Sequence, residues 1–122
     1  MQVRYIFKDI HHAGGAIRHV FPTHQKAVLD LIERLPDMVE EMWVFGSSIT
    51  LQCGQGSDLD ICLIGDVDPV DTKGLWVMDH IPIDLVVASH EQFNHNAEIQ
   101  GSLFQRIKAD GLKIWERGVG LS

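Results

Sequence analysis

The chain has 122 residues, 45% hydrophobic and 22% charged, a balance that fits a packed domain with one core and excludes disordered, collagen-like and low-complexity sequence. Ten Lys and Arg stand against seventeen Asp and Glu, a net charge of −7, so the overall field repels nucleic-acid backbones and anionic membranes and argues against both as partners. No apolar run reaches the roughly 18 residues of a membrane span, and the opening residues lack the apolar core of a signal peptide, which makes the cytoplasm the expected compartment.

Residues 1–122 read as one domain without repeats or a linker, and residues 1–20 carry little pattern. In residues 23–35 the apolar Ala27, Val28, Leu31, Ile32 and Leu35 recur three and four apart, which predicts an amphipathic helix with Thr23 as its N-cap and Pro36 beyond its end. Three short apolar runs, residues 42–45, 59–64 and 81–87, are each bounded by Gly, Pro, Asp or Ser and read as strands of one sheet. Ser89 and Gln92 have the spacing of a capping box, and residues 90–109 read as a helix that Gly101 breaks. Gly111 stops it, and residues 112–115 add a last strand. Helices around a small mixed sheet place the chain in the α/β or α+β class.

The chemistry concentrates between residues 45 and 64. A strand leads into Gly46-Ser47, and a second strand opens with Asp58-Leu59-Asp60. In an extended chain Asp58 and Asp60 share a face about 6 to 7 Å apart, while Leu59, Ile61 and Leu63 take the other, so one face should be wet and charged and the other buried. Asp84 interrupts the apolar run Ile81-Pro82-Ile83-Asp84-Leu85-Val86-Val87, where an unpaired carboxylate costs several kcal/mol. If its strand neighbours that of Asp60, three carboxylates converge. Two of them 4 Å apart repel by about 4 kcal/mol at an effective dielectric of 20, which calls for a counter-charge. Oxygen ligands suit Mg²⁺ or Mn²⁺ rather than Zn²⁺. The Gly46-Ser47 turn could offer backbone N–H groups to phosphate oxygens beside that cation.

Together these residues resemble the nucleotidyltransferase superfamily of DNA polymerase beta: a Gly-Ser pair, ten intervening residues, Asp-Leu-Asp at a strand start and a later strand Asp. Within it the likeness is to the minimal nucleotidyltransferase (MNT) proteins, and it covers residues 23–115. The tail Ile107-Lys108-Ala109-Asp110-Gly111-Leu112-Lys113-Ile114-Trp115 is similar to that family's closing helix, glycine turn and strand. The resemblance implies a nucleotidyltransferase-like fold in which Asp58 and Asp60 hold the metal ions and Asp84 completes the site and helps activate an acceptor hydroxyl. It implies that Gly46 and Ser47 bind the nucleotide phosphates and that Ser57 supports the carboxylate turn. The implied reaction moves a nucleoside monophosphate, AMP from ATP first, to a hydroxyl of a protein or small molecule and releases pyrophosphate. An alternative implied role is that of an MNT antitoxin, a module that neutralises a helical HEPN partner with or without catalysis. Self-association stays open.

One departure stands out. Ser48 and Thr50 occupy places where that family commonly carries basic residues, and no Lys or Arg falls between Arg34 and Lys73. A phosphate-holding cation would then come from Lys73, Arg106, Lys108 or a partner chain; a domain that keeps the acids but binds no nucleotide is a further reading.

Other patterns carry less. EF-hand spacing puts Cys62 and Leu63 where a ligand and a glycine are needed, and Asp66, Asp68 and Asp71 read as a solvated loop. Gly54-Gln55-Gly56 lacks the third glycine of a dinucleotide fingerprint. Cys53 and Cys62 match no disulfide or zinc framework and are expected to be thiols, and His11, His12, His19 and His24 show no zinc-ligand spacing. Trp43, Trp76 and Trp115 read as core or partner-facing aromatics.

Overall fold

A computed structural model describes residues 15–49 and 57–122; Thr50, Cys53, Gly54-Gln55-Gly56, His11 and His12 lie outside the described residues. A 3-10 segment at Gly15–His19 leads into helix α1 (Pro22–Glu33), strand β1 (Val39–Phe45), a 3-10 turn at Gly46–Ile49 and strand β2 (Leu59–Gly65). After a 3-10 segment at Pro69–Leu75 come β3 (Val77–Met78), β4 (Ile81–Ala88), α2 (His90–Ala97), α3 (Leu103–Asp110), β5 (Leu112–Glu116) and β6 (Gly120–Leu121). The architecture is the expected mixed α+β one. The six strands lie in the order β3-β4-β2-β1-β5-β6.

Helix α1 starts two residues earlier than a Thr23 cap would place it. Pro22 sits at the first helical position and Phe21 is the cap, with no side-chain cap bond. Proline's fixed φ is already helical and its missing N–H is one the first turn would leave unpaired, so Thr23 falls inside the turn and does not cap. The face turned inward carries His24, Gln25, Ala27, Val28 and Leu31, and Gln25 Nε2 donates to the Val20 carbonyl at 3.1 Å. The expected broken helix is two helices: Gly101 takes φ +81° between them, and the Ser102 hydroxyl accepts from the Gln105 N–H to begin α3. Ser89 and Gln92 form the capping box reciprocally, at 3.1 and 3.0 Å. Gly111 follows α3, as expected, and its N–H bonds the Ile107 carbonyl.

Strand β2 is central. It pairs antiparallel with β1 and parallel with β4, so its apolar run is buried on both faces, as strands in covered parallel pairings are. Ile61 and Leu63 join Val28, Leu31, Met42, Val44, Ile83 and Ile114 in a core under α1. Cys62 and Ile64 join Ala88, Phe93 and Ile107, with Trp43, Phe45, Val86 and Phe104 packed alongside, in a second core under α2 and α3. The expectation of one wet and one buried face is thereby corrected: the acid-bearing face is wet only at its start, and from Cys62 onward two helices cover it. The loop of Asp66, Asp68 and Asp71 is exposed as expected, with one structural duty, since Asp68 caps the 3-10 segment by accepting from the Val70 N–H at 2.9 Å. Among the described residues no helix is long and apolar enough to cross a membrane.

Candidate active site

The parallel register of β2 and β4 sets Asp60 directly beside Asp84. In-register residues of adjacent strands share a face, so the two carboxylates stand side by side at the rim of the helix-covered face, one step before Cys62 and Val86 enter the second core. Asp58 precedes β2 and is exposed, as is Asp84, whereas Asp60 is partly buried.

Burial pushes the Asp60 carboxyl up from its ordinary value of 3.8 to about 6, and the Asp84 charge, a hydrogen bond with Asp84 and the Asp58 charge push the same way. A hydrogen bond between two carboxyls needs a proton on one of them, so Asp60 donates and Asp84 accepts. Among the described residues no salt bridge reaches any of the three acids. The strand register brings together Asp60 and Asp84, two of the three acids expected to converge.

The Gly46 turn closes on this pair. Gly46 has φ +74°, and a Cβ there would stand 2.1 Å from Asp60 Oδ2. Two demands therefore select glycine: a left-handed backbone and a carboxylate lying against the α-carbon. Ser47 and Ser57 are both partly buried, Ser47 in the turn and Ser57 immediately before Asp58.

Ser48 faces inward. It is fully buried; its hydroxyl lies 2.8 Å from His24 Nδ1, and its carbonyl accepts the Phe21 N–H at 2.7 Å. Ser48 thereby fastens the turn to the start of α1. His24 is 1% exposed, and burial lowers its pKa against the opposing pull of the Ser57 backbone and the Asp58 charge. The ring is neutral at pH 7. Sequence reasoning weighed His24 only as a zinc ligand and missed this contact. The available signal was its place four residues before Val28 and seven before Leu31, on the inward stripe of the helix.

The candidate cations are placed less tellingly. Lys73 and Lys108 are exposed, and Arg106 Nη2 reaches the Gly101 carbonyl at 3.5 Å. A cavity of about 350 Å³ lined by Glu40, Glu41, His90, Glu116 and Arg117 lies at the opening end of β1, away from the Gly46 turn at its other end, and is lined by none of Asp58, Asp60 and Asp84.

An all-oxygen, uncompensated pair fits a hard divalent cation. Among the described residues no group of three or more His, Cys, Asp or Glu side chains is arranged to hold a metal ion. The chain therefore offers two adjacent carboxylates and a third close in sequence, an incomplete set that suits Mg²⁺, which keeps several waters and takes substrate phosphates as ligands.

No protein-family model and no curated protein matches the chain. Among solved structures it is similar to a toxin–antitoxin structure with AMP-PNP, at 17% identity and a TM-score of 0.53, over 76% of this chain and 73% of that one. A candidate nucleotidyltransferase from Sulfolobus solfataricus overlaps at 17% identity and a TM-score of 0.47, over 80% of each chain. At this identity the likeness concerns the fold alone, a mixed sheet in which a Gly-Ser turn follows β1 and the acid-bearing β2 lies between an antiparallel and a parallel neighbour.

Proposed function

We propose that the chain is a metal-dependent nucleotidyltransferase that moves a nucleoside monophosphate, AMP from ATP first, to a hydroxyl of a protein or small molecule and releases pyrophosphate. The observation that carries this reading is the in-register Asp60–Asp84 pair, in no salt bridge among the described residues and packed against a glycine turn. In the reaction the acceptor oxygen bonds the α-phosphorus, the bond from that phosphorus to the bridging oxygen of pyrophosphate breaks, and the acceptor loses its proton. Asp84, exposed and paired in register with Asp60, would take that proton. Asp58 and Asp60, with Asp84, would hold Mg²⁺ or Mn²⁺. When bound, such a cation neutralises charge developing on the phosphate oxygens. The backbone N–H groups of Gly46 and Ser47 would receive phosphate oxygens, and Ser57 would support the entry to Asp58.

The test is transfer of label from α-labelled ATP in Mg²⁺ to candidate acceptors. Incorporation falls to background in the double variant Asp58→Asn with Asp60→Asn; undiminished incorporation would refute the site assignment.

A second reading is supported by the fold shared with a toxin–antitoxin structure: a module that binds and neutralises a helical partner, HEPN-type toxins being the expected class. Co-expression with a small helical protein from an adjacent reading frame separates the two. Neutralisation that survives loss of the acids indicates binding alone, and failure of the two proteins to associate removes the module reading.

A further inference from the structure

Two stretches of the candidate site, the Gly46–Ile49 turn and the residues leading into β2, are separated by residues 50–56 and meet the same side chain. The turn is a single 3-10 segment of four residues, too short to hold its geometry by its own hydrogen bonds. Two bonds from the start of α1 fasten it: the Phe21 N–H on the Ser48 carbonyl at 2.7 Å and the His24 ring on the Ser48 hydroxyl at 2.8 Å. His24 also hydrogen-bonds the Ser57 backbone, and Ser57 adjoins Asp58. Edge-on packing against Phe21, with ring centroids 5.8 Å apart, fixes the ring further.

We propose that His24 is a positioning residue for phosphate binding: donating to the Ser57 carbonyl and accepting the Ser48 hydroxyl, it sets the distance between the Gly46-Ser47 turn and the acids. This rests on the nucleotidyltransferase reading above. A neutral imidazole has one N–H and one lone pair, so this arrangement uses both and leaves the ring a single orientation. Ser48 cannot shift without moving Ser47 and Gly46, and Gly46 lies on the Asp60 carboxylate. A displacement of the ring thereby reaches the groups that would touch nucleotide, although His24 touches none of it.

The test measures binding of ATP in Mg²⁺ by calorimetry on the full chain, with a thermal melt of each variant. Ser48→Ala removes one hydroxyl, and His24→Leu removes both ring bonds at similar volume. His24→Asn puts an amide where Nδ1 stood. Ser48→Ala and His24→Leu each weaken binding about tenfold, as losing a buried hydrogen bond at a binding site does. The double variant is no weaker than either single, because the two residues act as one link. His24→Asn, whose amide keeps the Ser48 contact and loses the Ser57 one, binds more tightly than His24→Leu and more weakly than wild type.

If His24→Leu does not fold, Ser48→Ala alone decides. Folded variants that bind like wild type, or losses that multiply in the double variant, overturn the positioning role and leave the proposed function standing. A wild-type chain that binds no ATP in Mg²⁺ overturns both.

Discussion

Asp60 holds a proton that an ordinary carboxyl would have released, and this ties stability to pH with a definite sign. Its folded pKa of about 6 lies above its ordinary value of 3.8, so between those values the folded chain binds more protons than the unfolded one. Its contribution is whole below pH 4 and is lost as pH rises through about 6. Because the carboxyl is partly exposed, solvent screening reduces the full linkage to about 1 to 2 kcal/mol. Asp60→Asn, whose amide still donates to Asp84, should therefore stabilise the chain by about that amount at pH 7.5 and by nothing near pH 4. Urea melts at the two pH values check this, and a gain that does not depend on pH would contradict it. Mg²⁺ should raise the wild-type melting temperature at pH 7.5 and leave Asp60→Asn almost unmoved, a readout independent of catalysis. The acids and the glycine were legible in the sequence because each broke a local rule: a charge in an apolar strand, or a glycine between two strands. His24 and Ser48 broke none. A polar side chain on the inward stripe of a helix is informative only once its partner is known, and that partner lies 24 residues away.

At the scale of elements, what could be read was whatever carried a period or a cap. The α1 stripe, the runs that became β1, β2 and β4, the Ser89 capping box and the break near Gly101 all qualify. The two-residue strands β3 and β6 are too short to carry a period, and their strand character comes from the neighbours they pair with. Asp79 and His80 join β3 to β4 with φ +51° and +66°, the two-residue hairpin geometry in which both positions are left-handed. The sequence gives little sign of it, since neither residue is glycine. Asp79 is retained by a bond from Lys26 Nζ at 2.9 Å that pins the hairpin to α1, whereas His80 is exposed. His80→Gly should relieve the backbone and stabilise the chain by about 0.5 to 1 kcal/mol, seen as a higher urea midpoint at constant slope. Asp79→Gly should gain less, because it also removes the Lys26 contact.

Across the whole molecule the two cores are halves of one structure because they share β2. Its alternate side chains enter opposite layers, Ile61 and Leu63 under α1, and Cys62 and Ile64 under α2 and α3. Damage to either layer should therefore reach the other through the strand that also carries Asp60. Leu31 is fully buried under α1, on the far side of the sheet from Trp43, which packs against Phe93 at 5.5 Å between ring centroids. In a background where Trp76 and Trp115 are replaced by Phe, Trp43 fluorescence reports the second core alone. Leu31→Ala should remove about 2 to 5 kcal/mol by the cavity it leaves. The Trp43 transition should move with it and coincide with the transition in far-ultraviolet dichroism, as one cooperative unit requires. A Trp43 midpoint that stays in place while the dichroism midpoint falls would mean that the layers unfold separately. The sheet would then be a seam between two units, and the acids on β2 would owe their placement to the α2–α3 layer alone.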